Sequence, residues 1–347
     1  MQPKTVLVTN KSNILYLSGF AGTNGFVVLN KGKNAFFTDA RYHEEAKENL
    51  LGNYKLIDIT EGFEQALLKY LKKNRIKTLG IEGNSVTFQQ WKKLKKELKG
   101  IVIKDIGNEI SEYRTVKKNK EIEAIKRSQS INDEVFLAIK KWLKQGISEQ
   151  EIGWKIKSLA HDFGAQDISF EPIVAIQEHS AAPHHKNSTR KIKSGDILLI
   201  DMGVKYENYC SDMTRVIFTK VATIEQKNVY EIVKNAQETA IEKLRPNMTG
   251  KKIHNIAQNI IEKAGYGDFF RHSLGHGVGL DIHELPNLSQ KYAKKIPINS
   301  VITVEPGIYL PGKFGIRLED MVVVGSKGVT NLTASPKAIQ ENTITLK

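Results

Sequence analysis

The sequence predicts an α/β chain in two parts, residues 1–115 and 116–347, and three observations carry that expectation. In the first third, short strand-like runs alternate with helical stripes. In the remainder, capped amphipathic helices alternate with β-branched runs, and several of those runs end in, or lie beside, a carboxylate. The chain has 347 residues, 40% of them hydrophobic, which is enough for two domains with substantial cores.

In chain order, Thr5-Val6-Leu7-Val8-Thr9, Gly25-Phe26-Val27-Val28-Leu29 and Asn34-Ala35-Phe36-Phe37-Thr38 read as strands, and residues 63–73 as a helix. Trp91, Leu94 and Leu98 form an apolar stripe at helical spacing, with lysines on the wet faces. The lysine-rich residues 113–120 read as the link between the parts and the opening of the next helix. Beyond it, Val135, Ile139, Trp142 and Leu143 share a stripe. Ser148 with Glu151, and Thr223 with Gln226, are capping-box patterns, the second followed by Val229, Ile232, Val233 and Ala236. Thr249 caps a helix bearing Ile253, Ile256 and Ile260, which Gly265 closes.

Composition removes several functional classes. The net charge of +14 comes from dispersed lysines, and residues 117–127 alternate lysine with glutamate, which suits an exposed helix better than a phosphate-tracking groove, so no nucleic-acid partner is expected. No apolar run reaches membrane-spanning length and the start lacks a signal-peptide pattern, so a cytoplasmic protein without a membrane partner is expected. The single cysteine, Cys210, rules out an internal disulfide and reads as a packing residue.

Five residues carry the chemistry: Asp201, Asp212, His276, Glu305 and Glu319. Ile197-Leu198-Leu199-Ile200 has the character of a buried strand, yet Asp201 follows it, and burying that charge unpaired is expensive. Asp212 comes eleven residues later, just before the apolar Val216-Ile217-Phe218, so two paired strands would bring the aspartates together. Val301-Ile302-Thr303-Val304 ends in Glu305 and is stopped by Pro306-Gly307. In Ile316-Arg317-Leu318-Glu319-Asp320, strand alternation puts Arg317 and Glu319 on one face and Asp320 on the other, so Glu319 is the candidate ligand. His276 stands between Gly275 and Gly277, which let other groups approach closely. Four carboxylates and one imidazole are too anionic to persist in a low-dielectric interior without cations, and oxygen-rich ligation favours manganese, cobalt, iron or zinc over thiol-preferring ions. A pair of such ions sits roughly 3.5–4 Å apart, lowers the pKa of a bridging water toward about 7 and polarises a carbonyl, which is amide hydrolysis without a protein nucleophile.

The C-terminal two-thirds resembles the pita-bread metallopeptidase family. The match runs through Phe170-Glu171-Pro172-Ile173-Val174, Pro183-His184-His185, Asp201-Met202-Gly203, Ser211-Asp212-Met213-Thr214-Arg215, Gly275-His276-Gly277, Val304-Glu305-Pro306-Gly307 and Arg317-Leu318-Glu319-Asp320, in family order. Upstream, Tyr16-Leu17-Ser18-Gly19-Phe20-Ala21-Gly22-Thr23 and Thr38-Asp39-Ala40-Arg41-Tyr42 resemble the creatinase-like N-terminal domain of the proline-specific members, aminopeptidase P and prolidase. The resemblance implies two divalent ions, manganese first and cobalt, zinc or iron as alternatives. Asp201 would hold one, His276 and Glu305 the other, and Asp212 and Glu319 would span both. It further implies that His184 binds the substrate backbone and transition state, that His283 stabilises the tetrahedral intermediate, that His272 lines the site, that Arg317 gates or orients substrate and that Glu305 also carries a proton to the leaving amine. This sequence departs from the family at His185, where relatives often carry a small residue, which leaves open which imidazole faces the site; His184 is retained. His43, His161, His179 and His254 read as surface or satisfied core residues.

The implied activity is hydrolysis of the bond between an N-terminal residue and a following proline, an Xaa-Pro aminopeptidase, with Xaa-Pro dipeptidase as the alternative and a catalytically silent peptide binder as a third reading. Peptides with proline second are the implied partners, and a homodimer the implied assembly.

Overall fold

The computed structural model describes residues 3–347, which form two compact units dividing between Arg114 and Thr115. The first unit is a six-stranded sheet of β1 (Thr5–Val8), β2 (Phe26–Asn30), β3 (Ala35–Thr38), β4 (Lys55–Asp58), β5 (Thr78–Ile81) and β6 (Val102–Asp105), in the order β4-β3-β2-β1-β5-β6. The central β2 runs antiparallel to β1 and β3, and the other three pairings are parallel. Its helices are α1 (Lys11–Ser18), α2 (His43–Asn49), α3 (Phe63–Lys73), α4 (Phe88–Glu97) and α5 (Glu109–Tyr113).

Strand alternation builds two cores here. Leu7, Val28 and Phe37 point to one face, against Leu67 and Leu71 of α3 and Leu94 of α4. Their neighbours Val8, Val27 and Phe36 point to the other, against Ile14 of α1, Ala46 of α2 and Ile110 of α5. The helix read at 63–73 is α3, and the strand read at 25–29 is β2, one residue later.

The second unit contains α6 (Asn119–Trp142), α7 (Glu149–Asp162), α8 (Ile224–Lys243) and α9 (Gly250–Lys263). Its earlier strands are β7 (Asp167–Ile168), β8 (Ile173–Ile176), β9 (Ile197–Met202), β10 (Val204–Tyr206), β11 (Tyr209–Cys210) and β12 (Met213–Phe218). Its later strands are β13 (Gly275–Gly277), β14 (Glu284–Leu288), β15 (Val301–Val304), β16 (Gly307–Leu310), β17 (Phe314–Arg317), β18 (Asp320–Val324) and β19 (Val329–Asn331). Two sheets matter for the site: β12-β9-β8, and β14-β13-β15-β18-β19.

The run Ile197 to Ile200 is apolar throughout because β9 is covered on both faces. Ile197 and Leu199 join Val216 of β12 in a core with Val229 and Val233 of α8 and Ile253 of α9. Leu198 and Ile200 join Ile217 in a second core with Ile131 and Val135 of α6 and Ile152 of α7. Each such side chain contributes roughly 1.5–3 kcal/mol over an exposed position. This sheet carries Asp201 in β9 and sets Asp212 immediately before β12. The capping boxes at Ser148 with Glu151 and Thr223 with Gln226 both form, and Thr249 caps α9.

Candidate metal centre and active site

Antiparallel pairing of β9 with β12 sets Asp201 opposite Thr214, so Asp212, one residue before β12 begins, falls at the same end of the sheet. Pairing of β15 with β18 sets Val304 opposite Asp320, which places Glu305, just past β15, and Glu319, just before β18, side by side. His276 is the centre of β13, whose Gly277 pairs with Ile302 of β15. The flanking glycine matters sterically: a Cβ at Gly275 would lie 2.0 Å from the Thr303 carbonyl oxygen. Four of the five residues therefore sit at strand ends or in strands, with Asp212 in the turn between β11 and β12.

All nine residues singled out in the sequence, Asp201, Asp212, His276, Glu305, Glu319, His184, His272, His283 and Arg317, line one cavity of about 620 Å³. Asp212, His276 and Glu319 each present a ligand atom within 4.8 Å of the others. His276 Nε2 lies 3.5 Å from Asp212 Oδ2 and 3.4 Å from Glu305 Oε1. Its Nδ1 donates to the Gly277 carbonyl at 3.1 Å, so Nε2 faces those carboxylates as a bare lone pair. Burial holds this imidazole down at about 4, with His283 adding to the effect.

The carboxylates are crowded. Burial, followed by the charges of Glu319, Asp201 and Glu305, raises Asp212 well above the usual range, and Glu319 is raised by burial and by Glu305 and Asp201. Glu305 is pushed up to about 8 by burial, with Asp201 adding to it against the pull of Arg317. Arg317 offsets part of this charge: its Nη2 donates to Asp201 Oδ2 at 2.6 Å and its Nε to Thr214 Oγ1 at 3.0 Å. Asp201 Oδ1 is nevertheless buried with no hydrogen-bond partner among the described residues.

These observations fit divalent cations. A bare imidazole nitrogen, an orphaned buried carboxylate oxygen and three carboxyls pushed toward protonation are the donor set that an oxygen-preferring divalent cation would satisfy. The cluster would be costly without positive charge and favourable with it.

Several contributors escaped the sequence reading. Thr214 Oγ1 donates to Glu319 Oε2 at 2.7 Å while accepting from Arg317, and Thr303 Oγ1 donates to Glu305 Oε1 at 3.2 Å. The Tyr309 hydroxyl meets Arg317 Nη1 at 2.8 Å and His272 Nε2 at 3.0 Å. Thr214 lies in the Ser211-Asp212-Met213-Thr214-Arg215 motif, but its partners Glu319 and Arg317 are 105 and 103 positions away. Tyr309 stands four residues past Glu305, with Arg317 on the adjoining strand of its hairpin and His272 37 positions upstream. Asp320 turns away, as alternation predicted, and pairs with Arg215 at 2.7 Å. His184 lines the cavity, whereas His185 Nε2 is engaged by Glu149 at 2.8 Å. Cys210 is buried outside the lining, with its thiol raised to about 11 by burial. His254 is a buried acceptor for the Leu274 N–H, His43 pairs with Asp58 and His179 with Glu149, which leaves His161 on the surface.

Residues 123–326 match metallopeptidase family M24, and residues 3–116 match the creatinase/prolidase N-terminal domain. An Xaa-Pro dipeptidase of Pyrococcus horikoshii is 36% identical over 335 residues, covering 96% of this chain and 93% of its own. Among solved structures, an X-Pro aminopeptidase of Thermotoga maritima superposes with a TM-score of 0.91 at 34% identity, over 99% of this chain and 98% of its own. An Xaa-Pro dipeptidase of Bacillus anthracis gives 0.94 at 33% identity, over 97% and 94%. The expected architecture holds: a creatinase-like α/β unit followed by a pita-bread catalytic unit. With the metal-ready cavity and these matches together, the chain belongs to metallopeptidase family M24, in its proline-peptidase-like branch with a creatinase/prolidase N-terminal domain.

Proposed function

We propose that the chain is a dinuclear metal-dependent Xaa-Pro aminopeptidase, releasing the residue that precedes a proline. The observation that carries the hydrolytic part is the His276 lone pair aimed into crowded carboxylates beside the unpartnered Asp201 Oδ1. Proline preference is supported by the relatives, whose names divide between X-Pro aminopeptidase and Xaa-Pro dipeptidase.

Asp201 would hold one ion, His276 and Glu305 the other, and Asp212 and Glu319 would span both, with manganese first among the candidates. When bound, such ions supply a water nucleophile near neutral pH and Lewis acidity at the scissile carbonyl. The protein's own groups do the rest. His283, exposed at the cavity and T-shaped against His276 at 4.3 Å between ring centres, donates an N–H to the developing oxyanion. His184, exposed at the mouth, binds substrate backbone. Arg317, fixed by Asp201, Thr214 and Tyr309, orients the peptide, and Glu305 passes a proton to the leaving nitrogen. His283→Ala should retain both ions and lower kcat roughly 10²-fold; unchanged turnover at full metal content would remove it from the mechanism.

The dipeptidase reading differs in what lies beyond proline. A second cavity of about 460 Å³ shares Glu171 with the first and is bordered by Trp154, which is 69% exposed, and by Lys186. Room for a longer chain there supports the aminopeptidase. Trp154→Ala should lower kcat/KM for peptides of five or more residues about 3- to 10-fold, the worth of one aromatic contact, while an Xaa-Pro dipeptide is unaffected. Equal effects on both lengths would defeat this reading of the second cavity.

The functional test is a matched panel after manganese or cobalt loading: an Xaa-Pro dipeptide, an Xaa-Pro-Yaa tripeptide, a longer Xaa-Pro peptide and an Xaa-Ala control. Cleavage of the tripeptide and longer peptide is expected. Cleavage of the dipeptide alone would make the enzyme a dipeptidase, and equal cleavage of the control, or none with metal bound, would overturn proline specificity. A cytoplasmic homodimer completes the proposal. Among the described residues no helix is long and apolar enough to cross a membrane.

A further inference from the structure

Glu149, the first residue of α7, has a wholly buried side chain that lines neither cavity. Its Oε1 accepts from the Ile176 N–H at 2.9 Å, at the end of β8, and from His179 Nδ1 at 2.7 Å. Its Oε2 accepts from His185 Nε2 at 2.8 Å and from the Ser188 N–H and hydroxyl at 2.9 and 2.6 Å. Five donors from three successive segments thus close on one carboxylate. Burial works against its charge, but the bonds from Ser188, Ile176, His185 and His179 outweigh burial and hold it below the usual range. Such a group is a structural tie whose cost is recovered only if every donor stays in place.

The tied segment contains His184. Pro183 precedes it, and His185 follows with its ring held on Glu149 and tilted against that of His179 at 4.4 Å between ring centres, so the two adjacent imidazoles part: His185 to the carboxylate, His184 to the catalytic cavity. The same segment reaches the strand of Arg317, because the Gly315 N–H donates to Ser180 Oγ at 2.7 Å. We propose that Glu149 is a positioning residue that sets the imidazole of His184 against the substrate by gathering Ile176, His179, His185 and Ser188 onto one buried carboxylate. This rests on the reading of His184 as a substrate contact.

The test is a double-mutant cycle on the manganese-loaded enzyme with an Xaa-Pro-Yaa peptide, following kcat, KM, bound metal and Tm. Glu149→Gln keeps the shape and turns an amide N–H₂ toward donors. It should lower kcat/KM about 10-fold, or about 1.4 kcal/mol, at unchanged metal content, and this loss should shrink to less than about 2-fold in a His184→Ala background. A loss of Tm from Glu149→Gln, in contrast, would be the same in both backgrounds. His185→Phe, which keeps a ring and removes one donor, provides the same comparison if the glutamine variant does not fold. An equal fold-loss in both backgrounds, unchanged kcat/KM in both variants, or a His184→Ala enzyme as active as wild type would overturn the positioning role. Failure of wild type to cleave Xaa-Pro peptides is a separate result that removes the functional reading itself.

Discussion

Asp212→Ala should lose metal and activity together, with kcat/KM falling at least about 10³-fold, while the metal-free protein becomes no less stable than metal-free wild type. The second half of this expectation separates a ligand from an ordinary buried residue. Asp212 is held far from its usual ionisation by burial and by Glu319, Asp201 and Glu305, so removing it from the cation-free cluster relieves repulsion. Added manganese should raise the Tm of wild type, because an ion that binds only the folded state stabilises it by about 2.7 kcal/mol at a hundredfold excess over Kd. The variant should show no such rise. pH sharpens the comparison. Glu305, lifted from 4.5 to about 8 in the folded chain, favours the folded state most below its unfolded value, and that advantage disappears as pH rises through the folded value. Chelated wild type should therefore melt progressively lower between about pH 5 and 8, and manganese should flatten the trend. Metal analysis with melts in chelator and in manganese checks both points; a variant that is metal-loaded and active would sink the ligand assignment.

How much of this site was legible follows from how local each signal is. Ile197 to Ile200 followed by Asp201, and Val301 to Val304 followed by Glu305, are statements about neighbouring residues, and a charge at the end of a buried strand demands a partner wherever the strand packs. Alternation likewise separated Glu319 from Asp320, although the two lie at a junction: β17 ends at Arg317, β18 begins at Asp320, and Glu319 enters the cavity from the bend between them. Hydrogen-bond partners were not legible. Thr214 reaches Glu319 across 105 positions, and Glu149 reaches Ser188 across 39, distances over which periodicity says nothing. The choice between His184 and His185 was of this kind, since it depends on a buried carboxylate from a helix that the sequence marks only by its cap. In the first unit, alternation placed the strands, but their order, with β1 at the centre beside β5, is a property of crossovers and not of any one run.

Arg215→Met should cost about 3–5 kcal/mol of unfolding free energy, the range for removing one partner of a buried ion pair. The guanidinium is fully buried and serves four acceptors: Asp320 Oδ1 at 2.7 Å and the carbonyls of Thr214, Glu319 and Ser335 at 3.0, 2.6 and 2.8 Å. Methionine fills much of the volume and supplies none of these donors. Asp320 keeps Lys337 and Asn331, both on Oδ2, so the loss falls on Oδ1 and the three carbonyls. Burial works against the Asp320 charge, yet Arg215 and Lys337 hold its carboxyl below the usual range. A carboxyl depressed in the folded state contributes stability above its unfolded value, and that contribution is lost as pH falls through the folded value. With Arg215 gone the folded value moves up, so the variant has less of this contribution to lose in acid than wild type, and urea melts at pH 7 and pH 4 would show a gap that is large at neutrality and narrows in acid. The same substitution frees the Glu319 carbonyl, which lies on the backbone that presents the Glu319 carboxylate to the cavity, so manganese affinity should weaken even where the variant is folded. A variant as stable as wild type at pH 7, with equal manganese affinity, would show that this buried pair neither holds the fold nor sets the site.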